Sequence, residues 1–229
     1  MIVAAHPDDE LLGPGATMHH LIKRYGLTVD VLILGEGITS RSDIRDRDKW
    51  KNELNIHREN IRQAADCIGY SSVRTWDFPD NRFDSVPLLD IIKVIEKEKE
   101  KKKPDVIFTH FEWDLNIDHQ RTFQAVITAC RPMENEHVKT IISFETPSAT
   151  EWQASTVKKP FPSNLYFAVN EEDVQAKIDG MEKYQFEKRA YPHPRSPEAL
   201  LLRAKYTGMT IGAEYAEPFC LIRHIESQN

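Results

Sequence analysis

Short apolar runs alternate with longer amphipathic segments through the first two thirds of this chain, and this alternation restricts the fold more than any other feature. Runs typical of buried strands occupy residues 2–5, 29–34, 73–78, 106–109 and 140–144. Helical periodicity occupies residues 16–25, 43–68 and 88–100, and a fourth helix is expected before Pro132. This order predicts an α/β, Rossmann-like three-layer fold with a mostly parallel sheet, in strand order 3-2-1-4-5 plus C-terminal additions.

The whole chain of 229 residues is expected to form one domain. Its core is predicted at residues 1–145, and residues 146–229 are predicted to be the C-terminal additions. These begin with a loop rich in Pro, Ser and Thr, followed by a strand near residues 165–169 and a helix near residues 171–186. A final helix from about residue 196 and a last strand near residues 219–225 complete the prediction.

Charge and composition argue against several classes of protein. The 30 Lys and Arg residues against 36 Asp and Glu residues give a net charge of −6, which disfavours a nucleic-acid-binding platform. No apolar run approaches the ~18 residues of a membrane span. The apolar start of the chain ends at His6, which argues against a signal peptide. The three cysteines fit neither a disulfide framework nor a zinc ribbon, so a reducing, cytoplasmic compartment is expected.

The most unusual polar residues follow the first and fourth predicted strands, whose carboxyl ends meet where ligands bind in such sheets. His6, Asp9 and His119 form a plausible set of two histidines and one aspartate. Hydrolytic zinc sites use three such ligands and leave a position for water, whose pKa the metal lowers toward ~7. Asp8 is the candidate general base, and Asp118 is expected either to act from behind the metal ligands or to cap the fourth helix and fix His119.

Each of these motifs also has a plain structural explanation. A His-Pro pair after a strand is usually a turn, and an Asp-His pair at a helix start is usually a cap. Two consecutive carboxylates after a histidine are harder to explain in this way, because they repel each other unless a cation or proton lies between them. A second histidine across the switch point strengthens the metal interpretation.

Two motifs carry a family resemblance: AHPDDE at residues 5–10 and DLNIDH at residues 114–119. GEG at residues 35–37, DNRFD at residues 80–84 and HPRSPE at residues 193–198 agree with it more weakly. The motifs resemble those of the PIG-L/LmbE-like family of zinc-dependent N-deacetylases. The resemblance implies one LmbE-like domain over residues 1–229 that removes an N-acetyl group from an amino sugar or glycoconjugate by attack of a zinc-bound water. It also implies His6, Asp9 and His119 as zinc ligands and Asp8 as base, the set already selected by position, with iron(II) as the alternative metal.

Asn116 departs from the family pattern, because many members have a histidine there that is held to stabilise the transition state. An amide can donate a hydrogen bond to an oxyanion but cannot deliver a proton. His193, on a loop stiffened by two prolines, is therefore predicted to reach the cleft and protonate the leaving amine, although a surface turn histidine is the plain alternative. His110, directly after the fourth strand, is an outside candidate for substrate contact.

Candidate substrate contacts come from the same edge of the predicted sheet. Arg41 follows the second strand and Arg82 the third, where either is suited to a phosphate or to sugar hydroxyls, or is simply a surface arginine. Asp80 and Asn81 follow the third strand, and Trp113 beside the second motif is suited to stacking on a sugar.

Two other functions remain open at this level. One is a deacylase of a non-sugar amide in a biosynthetic pathway. The other is a non-catalytic, receiver-like domain that binds a metal, but such a domain needs a lysine after the fifth strand, where the sequence has Phe144, Glu145 and Thr146. The expected partner is a small-molecule substrate rather than nucleic acid, and a homo-oligomer is left open.

Overall fold

The computed structural model describes residues 1–154 and 160–226, and in these residues seven strands form one mixed sheet in the order β3-β2-β1-β4-β5-β7-β6. The strands are β1 (Ile2–Ala4), β2 (Asp30–Gly35), β3 (Ser72–Phe78), β4 (Val106–Thr109), β5 (Thr140–Phe144), β6 (Leu165–Val169) and β7 (Tyr215–His224). Strands β1 to β5 are parallel, whereas β7 pairs antiparallel with both β5 and β6. The predicted fold class and the strand order 3-2-1-4-5 are confirmed.

Helices cover both faces of the sheet. They are α1 (Asp9–Leu12), α2 (Gly15–Tyr25), α3 (Lys51–Ile68), α4 (Leu88–Lys102), α5 (Ile117–Ala129), α6 (Glu171–Lys183) and α7 (Pro197–Thr210). One apolar core lies under α2, α3, α6 and α7, and the other lies under α4 and α5. Strand β1 shows why a strand can be apolar throughout: Ile2 and Ala4 belong to the first core, and Val3 belongs to the second.

The C-terminal third completes the sheet rather than forming a separate layer. Strand β7 inserts between β5 and β6, with Phe144 opposite Phe219 and Phe219 opposite Leu165. The last strand begins at Tyr215, four residues before its predicted start, because residues 215–218 pair with β6. One continuous sheet supports the proposal of a single domain.

Helix α3 begins at Lys51 and not at residue 43, as the periodicity predicted. The preceding residues form a loop that is tied to the end of β2. Arg45 Nε lies 2.7 Å from Glu36 Oε1, and Arg47 Nε lies 3.0 Å from Glu36 Oε2. Trp50 Nε1 donates to Ser42 Oγ at 2.9 Å. These contacts of polar side chains with a buried carboxylate favour the loop over an additional two turns of helix.

Helix α5 is capped by Asn116, whose side-chain oxygen accepts a hydrogen bond from the Asp118 N–H at 2.8 Å. The sequence predicted that Asp118 either caps this helix or acts behind a metal ligand. The capping role is wrong, because the cap is Asn116 and the Asp118 carboxylate points elsewhere. Within residues 1–154 and 160–226, no helix combines the length and apolarity that crossing a bilayer requires.

Candidate metal centre

The three predicted metal ligands converge at the carboxyl ends of β1 and β4. His6 follows β1, Asp9 begins α1, and His119 lies in the first turn of α5. Asp9 Oδ2 is 3.4 Å from His6 Nδ1 and 3.3 Å from His119 Nε2. One donor atom from each of the three residues lies within 4.8 Å of the other two. These distances are those of a preformed site with two nitrogen donors and one oxygen donor.

Each of the two histidines has a carboxylate on its far side. His6 Nε2 lies 2.8 Å from Asp118 Oδ2, and the other oxygen of Asp118 accepts from the Phe83 N–H at 2.8 Å. Asp118 therefore favours the tautomer that carries its hydrogen on Nε2, which leaves the Nδ1 lone pair of His6 toward Asp9. His119 Nδ1 lies 3.3 Å from Asp114 Oδ1 in the same manner. Asp114 was not among the predicted site residues, although its place at the start of the DLNIDH motif was the available signal.

The electrostatics of this cluster favour a bound cation. Burial opposes the charged form of His6, but Asp118 and Asp9 outweigh it and raise its pKa well above 6.5. Burial also opposes the charge on His119, yet Asp9 and Asp114 raise its pKa to about 9. The pKa of Asp9 is lowered despite its burial, because His119 and His110 stabilise its charge. A set of two imidazoles and one carboxylate in such a field fits zinc or iron(II).

A second donor set shares His6 and adds Asp80 and Asp118. Its carboxylates already have other partners. Asp80 Oδ2 accepts from Ser40 N at 3.1 Å and from Ser40 Oγ at 2.6 Å, while Asp118 accepts from the Phe83 N–H. Asp9 Oδ2 likewise accepts from the His6 N–H at 2.8 Å, but His6, Asp9 and His119 combine two imidazoles with one carboxylate, a ligand set typical of hydrolytic zinc sites, and are therefore the candidate metal position.

Asp8, the predicted base, is buried next to this centre in an unusual backbone conformation. Its φ of 103° lies in the left-handed region, which residues with a side chain adopt at a cost and mainly at functional sites. The Asp8 N–H donates to Glu10 Oε2 at 3.0 Å, and Tyr184 OH donates to Glu10 Oε1 at 2.5 Å. Burial raises the pKa of Asp8 well above 3.8, and the Arg195 guanidinium at 2.6 Å opposes that rise.

A cavity of about 450 Å³ opens beside the metal position. Predicted site residues in its lining are His6, Asp8, Arg41, Asp80, Asn81, Asn116 and His119. The remaining lining residues include His57, Ser148, Glu187 and Arg195. The Asn116 amide is engaged twice, since its oxygen caps α5 and its Nδ2 donates to Asn81 Oδ1 at 2.9 Å.

Five predicted site residues are not in the lining of this cavity: Asp9 and Asp118, which lie behind it among the metal-centre contacts described above, and His193, Arg82 and Trp113, which lie apart from it. The His193 ring packs edge-on against Trp152 at 5.4 Å, and its Nδ1 accepts from the Arg195 N–H at 3.2 Å. Arg82 is directed to the surface, where it donates to the Asp43 carbonyl at 2.8 Å, and the Trp113 side chain is 40% exposed. The charged residue that the His193 loop brings to the cavity is Arg195 instead.

His110 is close to the metal ligands but closed to a substrate. Its ring stacks on His119 at a centroid distance of 3.9 Å, its Nε2 accepts from the Ala5 N–H at 2.9 Å, and its Nδ1 lies 3.2 Å from Thr146 Oγ1. Burial and the charge of His119 lower its pKa to about 4, so it is neutral near pH 7. His110 supports the position of His119 and of β1 rather than contacting substrate.

His57 lies in a helix among charged neighbours in the sequence, and the structure makes it a buried wall of the cavity. It is 2% exposed, and it packs edge-on against Tyr184 at 5.7 Å. Leu54 and Ile61, three residues before and four after it, are also buried, and this helical spacing was the signal available in the sequence. Burial and the nearby Arg41 lower the pKa of His57 to about 4.

We expect His57 to destabilise the protein as the pH falls. Its unfolded pKa is near 6.5 and its folded pKa about 4, so between these values the unfolded chain binds a proton that the folded chain does not. The free energy of unfolding should then fall by as much as about 3 kcal/mol from this group alone. Urea unfolding of metal-free His57→Gln between pH 7 and 4 should show a shallower pH dependence than wild type. The exposed His137→Gln control should keep the wild-type slope, and an unchanged slope in His57→Gln would contradict the assignment.

Comparison with known proteins adds a family to this geometry. The family model of PIG-L, described as GlcNAc-PI de-N-acetylase, matches residues 1–130. An uncharacterized deacetylase of Escherichia coli strain K12, YaiS, is 27% identical over 190 residues, which covers 81% of this chain and 89% of that protein. Both motifs that suggested the resemblance lie within the matched residues.

Solved structures share the fold at low sequence identity. The N,N′-diacetylchitobiose deacetylase of Pyrococcus horikoshii is 17% identical with a TM-score of 0.71, and the match covers 97% of this chain and 82% of that one. A 4-carboxy-2-hydroxymuconate hydratase of Pseudomonas putida is also 17% identical, with a TM-score of 0.70 and coverage of 100% and 97%. Because a deacetylase and a hydratase share this fold, the fold alone does not decide the reaction.

Proposed function

The chain belongs to the PIG-L family of de-N-acetylases, and from this premise we propose that it is a metal-dependent hydrolase that removes an N-acetyl group from an amino sugar or a sugar conjugate. The observation that carries the proposal is the convergence of His6, Asp9 and His119 beside Asp8 in one cavity. Two known proteins support it: a deacetylase that is similar to this chain in sequence, and a sugar deacetylase that shares its fold.

The proposed reaction divides its work between a metal and the residues of this chain. When bound by His6, Asp9 and His119, zinc or iron(II) supplies Lewis acidity to the acetamide carbonyl and to the attacking water. Asp8 takes one proton from that water as the water oxygen bonds to the carbonyl carbon. Asp8 then passes this proton to the amine nitrogen as the carbon–nitrogen bond breaks, which yields the free amine and acetic acid, and the acid ionises to acetate in solution.

Assigning both proton transfers to Asp8 follows from where the alternatives lie. His193 faces Trp152 rather than the cavity, and the Asn116 amide carries no transferable proton. Asn116 keeps a role as a neutral hydrogen-bond donor to the substrate, since only one of its two N–H bonds is used by Asn81. The proposal therefore transfers the acid role from His193 to Asp8.

The cavity lining supports a sugar over a non-sugar amide. One side of the cavity offers hydrogen-bond donors and acceptors, which suits a ligand with several hydroxyl groups. They belong to Ser40, Arg41, Asp80, Asn81 and Asn116. Arg82 and Trp113 have no part in this proposed sugar site. The three cysteines are unpaired, which supports a reducing compartment as the place of work.

The proposal is tested by release of free amine from defined acetamides. Protein purified without added metal should contain close to one equivalent of zinc or iron by elemental analysis. It should deacetylate N-acetylglucosamine or N,N′-diacetylchitobiose faster than N-acetyllysine or N-acetylputrescine at equal concentration. Faster turnover of the non-sugar acetamides would favour the deacylase alternative, and release of no amine from any of them, with metal bound, would contradict a deacetylase.

A further inference from the structure

Arg195, in the C-terminal third of the chain and outside residues 1–130, contacts the carboxylate of the proposed base, with its Nη1 2.6 Å from Asp8 Oδ2. We propose that Arg195 is a positioning residue for Asp8: it holds the carboxylate in the cavity and favours return of its proton to the leaving amine. The inference rests on the proposed function of Asp8. It gives the C-terminal residues a part in the reaction as well as in the fold.

The contacts of Arg195 show a side chain fixed from several directions. Its Nη1 lies 2.6 Å from Asp8 Oδ2 and 3.4 Å from Glu187 Oε2, and its Nε donates to Ser148 Oγ at 2.9 Å. The next residue, Ser196, caps α7 by accepting from the Ala199 N–H at 3.1 Å. Arg195 therefore projects from the start of a packed helix rather than from a free loop.

The ion pair leaves one oxygen of Asp8 for the reaction. Arg195 occupies Oδ2, whereas Oδ1 has no hydrogen-bond partner among residues 1–154 and 160–226. Asp8 lines the cavity, so Oδ1 is the oxygen available to a water beside the metal position. The backbone N–H of Asp8 donates to Glu10, so hydrogen bonds hold both the backbone and the side chain of Asp8.

The pairing also favours completion of the proposed reaction. The water proton moves to Asp8, which leaves the guanidinium facing a neutral acid instead of a carboxylate. When the proton passes to the amine nitrogen and the carbon–nitrogen bond breaks, Asp8 becomes charged again and the ion pair with Arg195 is restored. The charge of Arg195 never changes, so it stabilises the carboxylate before and after the reaction. Lysine cannot reproduce this arrangement, because it lacks the planar fork that contacts Asp8 and Ser148 together.

The test compares Arg195→Gln and Arg195→Lys with Arg189→Gln, a matched control at an exposed arginine whose Nη1 donates to the backbone carbonyls of Phe186 and Lys188. We expect Arg195→Gln to keep its metal and a KM near that of wild type but to lose about 10²-fold in kcat, the scale of a misplaced reacting group. Added guanidinium chloride at millimolar concentration should restore part of the rate to Arg195→Gln and none to Asp8→Asn. Arg189→Gln should retain the wild-type kcat.

Double variants separate a role through Asp8 from a general structural role. If Arg195 acts through Asp8, Asp8→Asn/Arg195→Gln should turn over no more slowly than Asp8→Asn alone. Multiplied losses in the double variant, or a wild-type kcat in Arg195→Gln, overturn the inference while leaving the deacetylase proposal intact. The same four proteins give a cycle in the free energy of unfolding, which needs no turnover. Coupling in unfolding together with no acetamide hydrolysis by wild type would overturn the proposed function and keep the Asp8–Arg195 pair.

Discussion

Replacing His119 with alanine is expected to release the metal and abolish acetamide hydrolysis in a protein that remains folded. His119 is one of three side-chain donors around the proposed metal position, and its Nε2 lies 3.3 Å from Asp9 Oδ2. Loss of a residue that only supports a metal ligand typically costs about 10–100-fold in affinity, and loss of the ligand itself should cost more. Elemental analysis after dialysis, and zinc titration against a chelating indicator, should therefore show less than one tenth of an equivalent retained.

The His119→Ala result has a clear control in His224→Ala. His224 lies on β7 at an exposed position, and its ring contacts Thr140 and Glu226. His224→Ala should keep a full equivalent of metal and the wild-type rate. A His119→Ala protein that holds a full equivalent of metal and turns over normally would remove His119 from the site. Circular dichroism and urea unfolding of both variants would show that any loss of metal is not loss of the fold.

Asp8→Asn should give the second-largest effect, in kcat rather than in metal content. Removing a general base typically lowers the rate by about 10²–10⁴-fold, and Asp8 is proposed to serve as acid as well. The metal should be retained, because Asp8 is not one of the three donors. Substrate affinity should change little, because an asparagine has nearly the same shape.

Asp77→Asn is the control variant for Asp8→Asn. Asp77 is an exposed aspartate at the end of β3 that pairs with Arg47 outside the proposed metal centre. Asp77→Asn should behave as wild type in kcat and metal content. Near-normal turnover by metal-loaded Asp8→Asn would move the base to another residue. The variant should also be somewhat less stable, since it leaves the partly buried guanidinium of Arg195 without its carboxylate.

The parts of the fold that could be predicted are those set by local pattern. Strands such as β2 are apolar on both faces, and the chain alternates strand with helix, so the parallel order of β1 to β5 followed. The convergence of the proposed metal ligands could be predicted because the carboxyl ends of adjacent parallel strands must meet, which brings His6 and His119 together. The periodicity failed at the start of α3, where contacts with Glu36, distant in sequence, override a helical pattern.

The missed residues depend on contacts that no local pattern encodes. Arg195 stands in a turn between two prolines and a helix cap, and its contacts with Asp8 and Ser148, both distant in sequence, accompany its placement at the cavity instead of His193. His57 looked like part of a charged helix because its immediate neighbours are polar, while the burial arises from α6 and Tyr184. The tertiary arrangement of the last third of the chain determined both outcomes.

The position of β7 has a consequence for synthesis of the protein. Strand β7 pairs with β5, which precedes it by more than 70 residues, and also with β6. Strand β6 therefore has no neighbour in the sheet until β7 has formed. A nascent chain that has emerged from the ribosome only as far as β5 already carries His6, Asp9 and His119, but it lacks Arg195 and leaves β5 as an open edge. Such a chain exposes an unpaired strand, which favours association with chaperones or aggregation until the last strand arrives. The full rate of the proposed hydrolysis would thus be reached only after translation has passed Arg195 and β7 has closed the sheet.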